Sequence, residues 1–414
     1  MSGYASRLHA AAGERHQVAS ALGAWLLLAL AAPASSGADR AQLTNVLGCE
    51  PDAAARYAAD LLGHPHPVVA GAAAVWTRPD APLGDAFRRW QRALPAAVQT
   101  GDLPSQPALD AWARDHTLGL IDRFPVDARQ AFLVLATALA TKVSWQVPFA
   151  LTSAASLGSA SEWARTLGRV LRTPNVQRGQ GHRQFIGVSA EASGARVSAE
   201  TSGARVSAET RDVAVHAAAA QDGLVVYSVA AAPDVPYLDV LAAAHRIACA
   251  DAIGAAVEHR DLRSLPLGDG PAWSLREELA RSPADVCIAV LPAWSARSQH
   301  DLARAGLGFG AAAAALAPGA PWTASQAAMA KYSRTGFEAA AVTATAMRAA
   351  ALEPHARRRV AELRFGHPYA VVAVATGTAD AGDAAWHGVP VFSAWVTEPE
   401  DAADEGNDAA ERRL

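Results

Sequence analysis

The sequence predicts an α+β (mixed) fold. Helical spacing dominates the first 150 residues, and short β-branched or aromatic runs bounded by Gly and Pro dominate the later part. Helices first and strands later argue against a regular βαβ alternation. With 414 residues, 51% of them apolar, there is ample material for a core.

Taken in order, "DRAQLTNVL", "PDAAARYAADLL" and "ALDAWARDHTLGLIDRF" carry apolar residues at i, i+3 and i+4, the spacing of half-buried helices. Residues 20–36, "SALGAWLLLALAAPASS", have a short apolar core after Arg7 and Arg15 and before a small-residue stretch. That is the outline of a secretory leader and equally of a buried helix, and it is too short for a membrane span. Residues 130–145, "QAFLVLATALATKVSW", fit a helix or a fully buried strand, and periodicity does not decide between them. The strand-like runs are "GLVVYSVAA", "DVCIAVLPAW", "PYAVVAVATG" and "GVPVFSAWVTE". A nine-residue repeat, "VSAEASGAR" then "VSAETSGAR" then "VSAET", fills residues 188–210. Its period is too short for a solenoid unit, so it reads as an expanded surface loop or hairpin within a single domain spanning 1–400. Residues 401–414 form a polar tail.

Chemistry is sparse. A net charge of −4 leaves no nucleic-acid footprint. The only lysines are Lys142 and Lys331. Cys49, Cys249 and Cys287 form no CxxC pair, so neither a zinc site nor a disulfide framework is indicated. Zincin, nucleophile-elbow, phosphate-loop and calcium-loop motifs are missing. "GLGFGAAAAA", residues 306–315, follows "HDLARA", which reads as helix, whereas a dinucleotide loop follows a strand. "HPHP", from His64, reads as an exposed turn, and His116, His245 and His300 stand alone. The expectation is a protein that is not an enzyme, needs no metal or cofactor, and acts through its fold.

Four blocks in order resemble the serpin family of protease inhibitors. "SALGAWLLLALAAPASSGADRAQLTNVLG" is similar to the helix under the serpin main sheet. "LDAWARDHTLGLIDRFP" with "FLVLATALATKVSWQVPF" resembles the helix that crosses that sheet and the long central strand ending in a Trp-x-x-Pro-Phe motif. "VCIAVLPAWSARSQHDLARAGLGFGAA" is similar to the strand and helix before the reactive loop. "GFEAAAVTATAMRAA", from Gly336, with "LRFGHPYAVVAVATGT" downstream, resembles the hinge and the signature strand. The resemblance implies a bacterial serpin-like fold with three β-sheets, about nine helices and an exposed reactive-centre loop. It turns residues 20–36 into the buried helix and residues 130–145 into the central strand.

It further implies a hinge at Gly336, Phe337, Glu338, Ala339, Ala340 and Ala341, and a breach residue, Trp145, where the loop first enters the sheet. A shutter cluster falls on Ser20, Thr137 and Gln326. The reactive bond falls between Ala350 and Ala351, with Arg348 and Leu352 as alternatives. The implied partner is a serine protease with a small-P1 preference, elastase-like or subtilisin-like, met by a monomer without nucleic acid or membrane. No clean leader points to the cytoplasm, although the family is mostly extracellular. The loop itself suits insertion. Alternate positions Phe337, Ala339, Ala341, Thr343, Thr345 and Met347 carry no charge, and Glu338 and Arg348 lie on the other face. Phe337 stands where the family has a small residue, and is expected to leave solvent on insertion. Gly23, Gly366 and Tyr369 also depart from the family pattern. These departures keep a non-inhibitory binding or carrier protein of the same fold open as the alternative.

Overall fold

The computed structural model describes residues 1–403 except 82, 130, 175–180, 191–209, 321, 338–355 and 378–383. In chain order the elements are α1 (Ser2–Ala12), β1 (Gln17–Ala19), α2 (Ala21–Ala31), α3 (Gly37–Leu47), α4 (Pro51–Gly63), β2 (Val69–Thr77), α5 (Asp85–Arg92), β3 (Val98–Asp102), α6 (Gln106–His116), β4 (Leu133–Thr141), β5 (Val143–Ser144), β6 (Ala150–Ser153), α7 (Trp163–Thr166), β7 (Arg169–Arg172), β8 (His182–Ala190), β9 (Thr210–Ala219) and β10 (Leu224–Ala230). There follow α8 (Tyr237–Ala252), β11 (Gly268–Asp269), β12 (Trp273–Ala280), β13 (Val286–Leu291), β14 (Trp294–Asp301), α9 (Phe309–Leu316), β15 (Ser325–Tyr332), β16 (Gly336–Phe337), β17 (Ala356–Arg364), β18 (Tyr369–Ala375) and β19 (Val389–Val396).

Nine α-helices thus appear among the described residues, but the strands form four hydrogen-bonded sheets where three were expected. Two are six-stranded, ordered β1-β19-β18-β10-β9-β8 and β11-β12-β17-β13-β7-β6. The other two, β14-β15-β16-β5 and β3-β2-β4, meet where β4 runs into β5 across Lys142. They are the two banks of one incomplete sheet.

The apolar run at residues 20–36 is helix α2, buried at all but one of its residues. A helix apolar all round has no face for water and sits inside. Ser20 caps it, its hydroxyl accepting from the Gly23 N–H. β18 and β19 are buried at every position. One side of β18, at Ala370, Val372 and Val374, packs with Val240, Leu241 and Ile247 of α8. The other side, at Val371 and Ala373, joins the main core with Leu22 and Leu26 of α2. Two covered faces explain runs without alternation. β4 alternates half-buried and buried positions but is apolar on both faces, which is why its sequence read equally as helix.

One reading needs correction. "HDLARA" is not helical: Asp301 ends β14, and Gly306 and Gly308 take left-handed backbone (φ 86° and 85°) that only glycine adopts without strain. The helix begins only at Phe309. The described ends of the 188–210 repeat lie on the antiparallel β8–β9 pair. Val188, Ser189 and Ala190 belong to β8 and Thr210 to β9, and the rest lies outside the described residues. Among the described residues no helix is long and apolar enough to cross a membrane.

Candidate functional site

The two banks face each other across a slot. β4 pairs with β2 along its whole length, from Val69↔Thr141 to Thr77↔Leu133. β15 pairs with β14 from Trp294↔Tyr332 to Asp301↔Ser325. Among the described residues β4 has no ladder partner on its other edge, and β15 has one only at Tyr332↔Phe337. At the top, β16 fills the space, with Gly336↔Ser144 and Phe337↔Val143 on one side and Tyr332 on the other. One strand fits between the banks there, and both banks line the space below it. A cavity of about 330 Å³ occupies it.

Each wall has a distinct origin. Ala136 and Ala138 of β4 pack against Trp112 and Phe124, placed by α6 and the chain that returns from it. That return is tied down by Asp110, whose carboxylate accepts from the Phe124 N–H at 2.8 Å, and by Gln106, which accepts from the Ala128 N–H at 2.9 Å. Alternate residues of β4 face the opposite way, toward Leu27 and Leu28 of α2.

The expected shutter residues meet on that inner side. The Thr137 hydroxyl donates to Gly23 O at 2.8 Å. The Gln326 carboxamide donates to Ser20 O at 2.8 Å and accepts from the Ser20 N–H at 3.1 Å. The Ser20 hydroxyl donates to Val391 O at 2.8 Å. A Cβ added at Gly23 would lie 3.4 Å from Ser20 Oγ, 3.4 Å from Thr137 Oγ1 and 3.5 Å from Gln326 Nε2. Gly23 is the point on which the three side chains converge.

At the mouth, Trp145 is 1% exposed. Its indole N–H donates to Ser333 O at 3.0 Å, and its backbone N–H donates to Thr335 O at 2.9 Å. The Phe149 N–H donates to Arg334 O at 3.0 Å. Ser333 and Gly336 close a tight turn through Ser333 N–H to Gly336 O at 3.0 Å, so β15 and β16 form a hairpin. Phe337 corrects an expectation: it is already buried, 4% exposed, with Trp294 edge-on to its ring at 6.4 Å. It does not wait in solvent, because the β5 edge pairs with Gly336 and Phe337, the first two of the expected hinge residues. The other hinge residues, Glu338, Ala339, Ala340 and Ala341, lie outside the described residues, as do Arg348, Ala350, Ala351 and Leu352.

Sequence reasoning missed Ser333, Phe149 and two histidines beneath them. Ser333 had no signal beyond standing before a glycine turn, and Phe149 was visible only as part of a motif. No group of three or more His, Cys, Asp or Glu among the described residues could hold a metal ion. His9 Nε2 and Ser393 Oγ lie 2.7 Å apart, but both are at most 2% exposed, so the pair cannot meet a substrate.

No family model matches the sequence, and no curated protein matches it. Solved structures do match in three dimensions. The thermophilic serpin tengpin in its native state is 12% identical, with a TM-score of 0.59 over 96% of this chain and 92% of that one. Thyroxine-binding globulin in complex with thyroxine is 11% identical, with a TM-score of 0.59 over 97% and 98%. Serpin48 of the insect Tenebrio molitor is 14% identical, with a TM-score of 0.52 over 96% and 95%. The chain therefore has the serpin fold, a mixed α/β architecture with nine helices among its described residues and several sheets.

Proposed function

We propose that the chain inhibits a serine protease by acting as a substrate that traps its enzyme. The protease attacks the segment between β16 and β17, forms an acyl-enzyme, and releases an end free to enter the slot. The observation that carries this reading is the pair of facing strand edges, unpartnered among the described residues below Tyr332, with β16 already between them at the top. Bare strand edges are normally covered or blunted, and a slot that holds one strand at its top suits one added strand below. Such a strand would form on the order of ten backbone hydrogen bonds, each of about 0.5–1.5 kcal/mol net.

The register supports the same reading. Counting down the ladder from Phe337↔Val143 brings Thr343 opposite Thr137. Counting down from Phe337↔Tyr332 brings the same Thr343 opposite Gln326. The inserted strand would thus present a hydroxyl to the two polar residues that line the slot. By the same count Glu338 falls between Lys142 and Lys331, the two lysines of the chain, both exposed. Its uncharged face, Ala339 to Met347 at alternate positions, would join Phe337 on the α2 side.

With the reactive bond between Ala350 and Ala351, the target would be a protease with a small or shallow primary pocket, elastase-like or subtilisin-like. Incubation with a panel of such enzymes should give a covalent complex stable to SDS; cleavage without any complex across the panel would sink the proposal. A second reading, a binding or carrier protein, draws on the likeness to thyroxine-binding globulin and on the bulky Phe337 at the hinge. It is favoured if loop cleavage leaves the melting temperature unchanged.

A further inference from the structure

We propose that a buried histidine pair, His182 and His216, latches the mouth of the slot and releases it in acid. The pair lies beneath residues 145–149, the strap on which the hinge turn is docked. His182 Nε2 donates to Val147 O at 2.7 Å, which leaves its Nδ1 as an acceptor. His216 Nε2 lies 3.1 Å from that Nδ1 and donates to it. The His216 Nδ1 lone pair then has no partner among the described residues. The rings stack at 5.3 Å, and Phe149 lies against both, at 4.5 and 5.4 Å. Phe149 in turn touches Tyr332 and Trp145. The line of contact therefore runs from the pair to the strap and on to the hinge turn, through Trp145 to Ser333 and Thr335.

The arrangement holds only while both rings are neutral. A proton on His182 Nδ1 would either set two N–H groups face to face or drive the His216 proton from Nε2 to Nδ1, where among the described residues it has no acceptor. A proton on His216 Nδ1 would leave a buried cation with no acceptor, at a position 0% exposed. The surroundings offer no relief. On β8, Arg183 is committed to Asp251 and Tyr227. The strap has no ionisable side chain. Arg334 of the hinge turn donates to Phe149 O, and Ser228 of β10 and Tyr332 of β15 present hydroxyls. Burial lowers His182 to about 4 and His216 well below its ordinary value, with no carboxylate acting on either ring. Opening the strap lets His182 return toward 6.5, so protons bind the open form and drive it.

The latch belongs to the mouth itself; its regulatory meaning, an inhibitor disabled in acid compartments, rests on the proposed inhibition. The test therefore reads structure and not inhibition. Hydrogen exchange is followed by mass spectrometry on the intact protein at pH 8 and pH 5 and corrected for intrinsic rates. Opening of residues 143–149 and 333–337 should rise about thirtyfold at pH 5, by linkage between 6.5 and about 4, while β2 stays protected. The double variant His182→Asn, His216→Leu should lose this step, and His245→Leu, in a separate buried group, should keep it. Equal protection of strap and β2 at both pH values in the natural protein overturns the proposal, as does a step that survives in the double variant.

Discussion

Thr137 and Gln326 hold the same helical turn from opposite banks of the slot. Thr137 on β4 donates to Gly23 O, and Gln326 on β15 bonds both backbone groups of Ser20. The first turn of α2 thus bridges two strands that do not pair with each other. Replacing Thr137 by Ala should cost about 0.5–1.5 kcal/mol and Gln326 by Ala about 1–3 kcal/mol, measured by denaturant unfolding. Additive losses in the double variant would count against a shared clasp, because groups in one network couple.

Gly23→Ser should stabilise. The added Cβ meets its neighbours at ordinary contact distance, its hydroxyl lies within reach of Thr137 and Gln326, and Ser is a better helix former than Gly. A gain of about 0.5–1 kcal/mol is expected from thermal or urea unfolding; a loss would show that the cluster has no room for a fourth polar group.

Phe337 is a plug at the mouth. Its burial is worth roughly 1.5–3 kcal/mol, so Phe337→Thr should raise exchange at residues 336 and 337 by about ten- to a hundredfold. Phe337→Arg should expel the hinge and abolish trapping while leaving the loop cleavable. Unchanged exchange in Phe337→Thr would mean that the ladder to β5, not the ring, holds the hinge.

Stability should fall in acid. Burial, together with neighbouring His245 and His300, lowers His9 to about 3, and burial lowers His245 to about 4. The folded values lie below the unfolded value of 6.5, so the contribution is complete above pH 6.5 and is lost as pH falls toward 4 and 3. Both ring nitrogens of His245 lack partners. His245→Leu should therefore flatten the decline and add about 1–3 kcal/mol at pH 5, read from melting curves between pH 8 and pH 4.

What the sequence made legible follows from local chemistry. α2 could be read because an all-apolar helix leaves no face for water, and α6 because its apolar stripe is regular. β4 could not be separated from a helix, since its half-buried face, with Leu133, Leu135 and Leu139, is as apolar as its buried one. The convergence of Ser20, Thr137 and Gln326 followed from the family resemblance, not from spacing: they come from a helix cap and two strands spread over 306 residues of chain. Phe337 misled because its burial depends on pairing with Val143, far away in the chain. His182 and His216 meet only through the β8–β9 register, which places His216 opposite Gln184.

The central claim is that the slot between β4 and β15 accepts the segment that follows Phe337. The most direct measurement is the melting temperature before and after a single cut between Arg348 and Leu352 by a subtilisin-like protease, with the fragments kept together. Insertion would add on the order of 10 kcal/mol of ladder and packing, so the cleaved protein should melt at least about 10 °C higher. A cleaved protein that melts at or below the temperature of the intact chain would contradict the account.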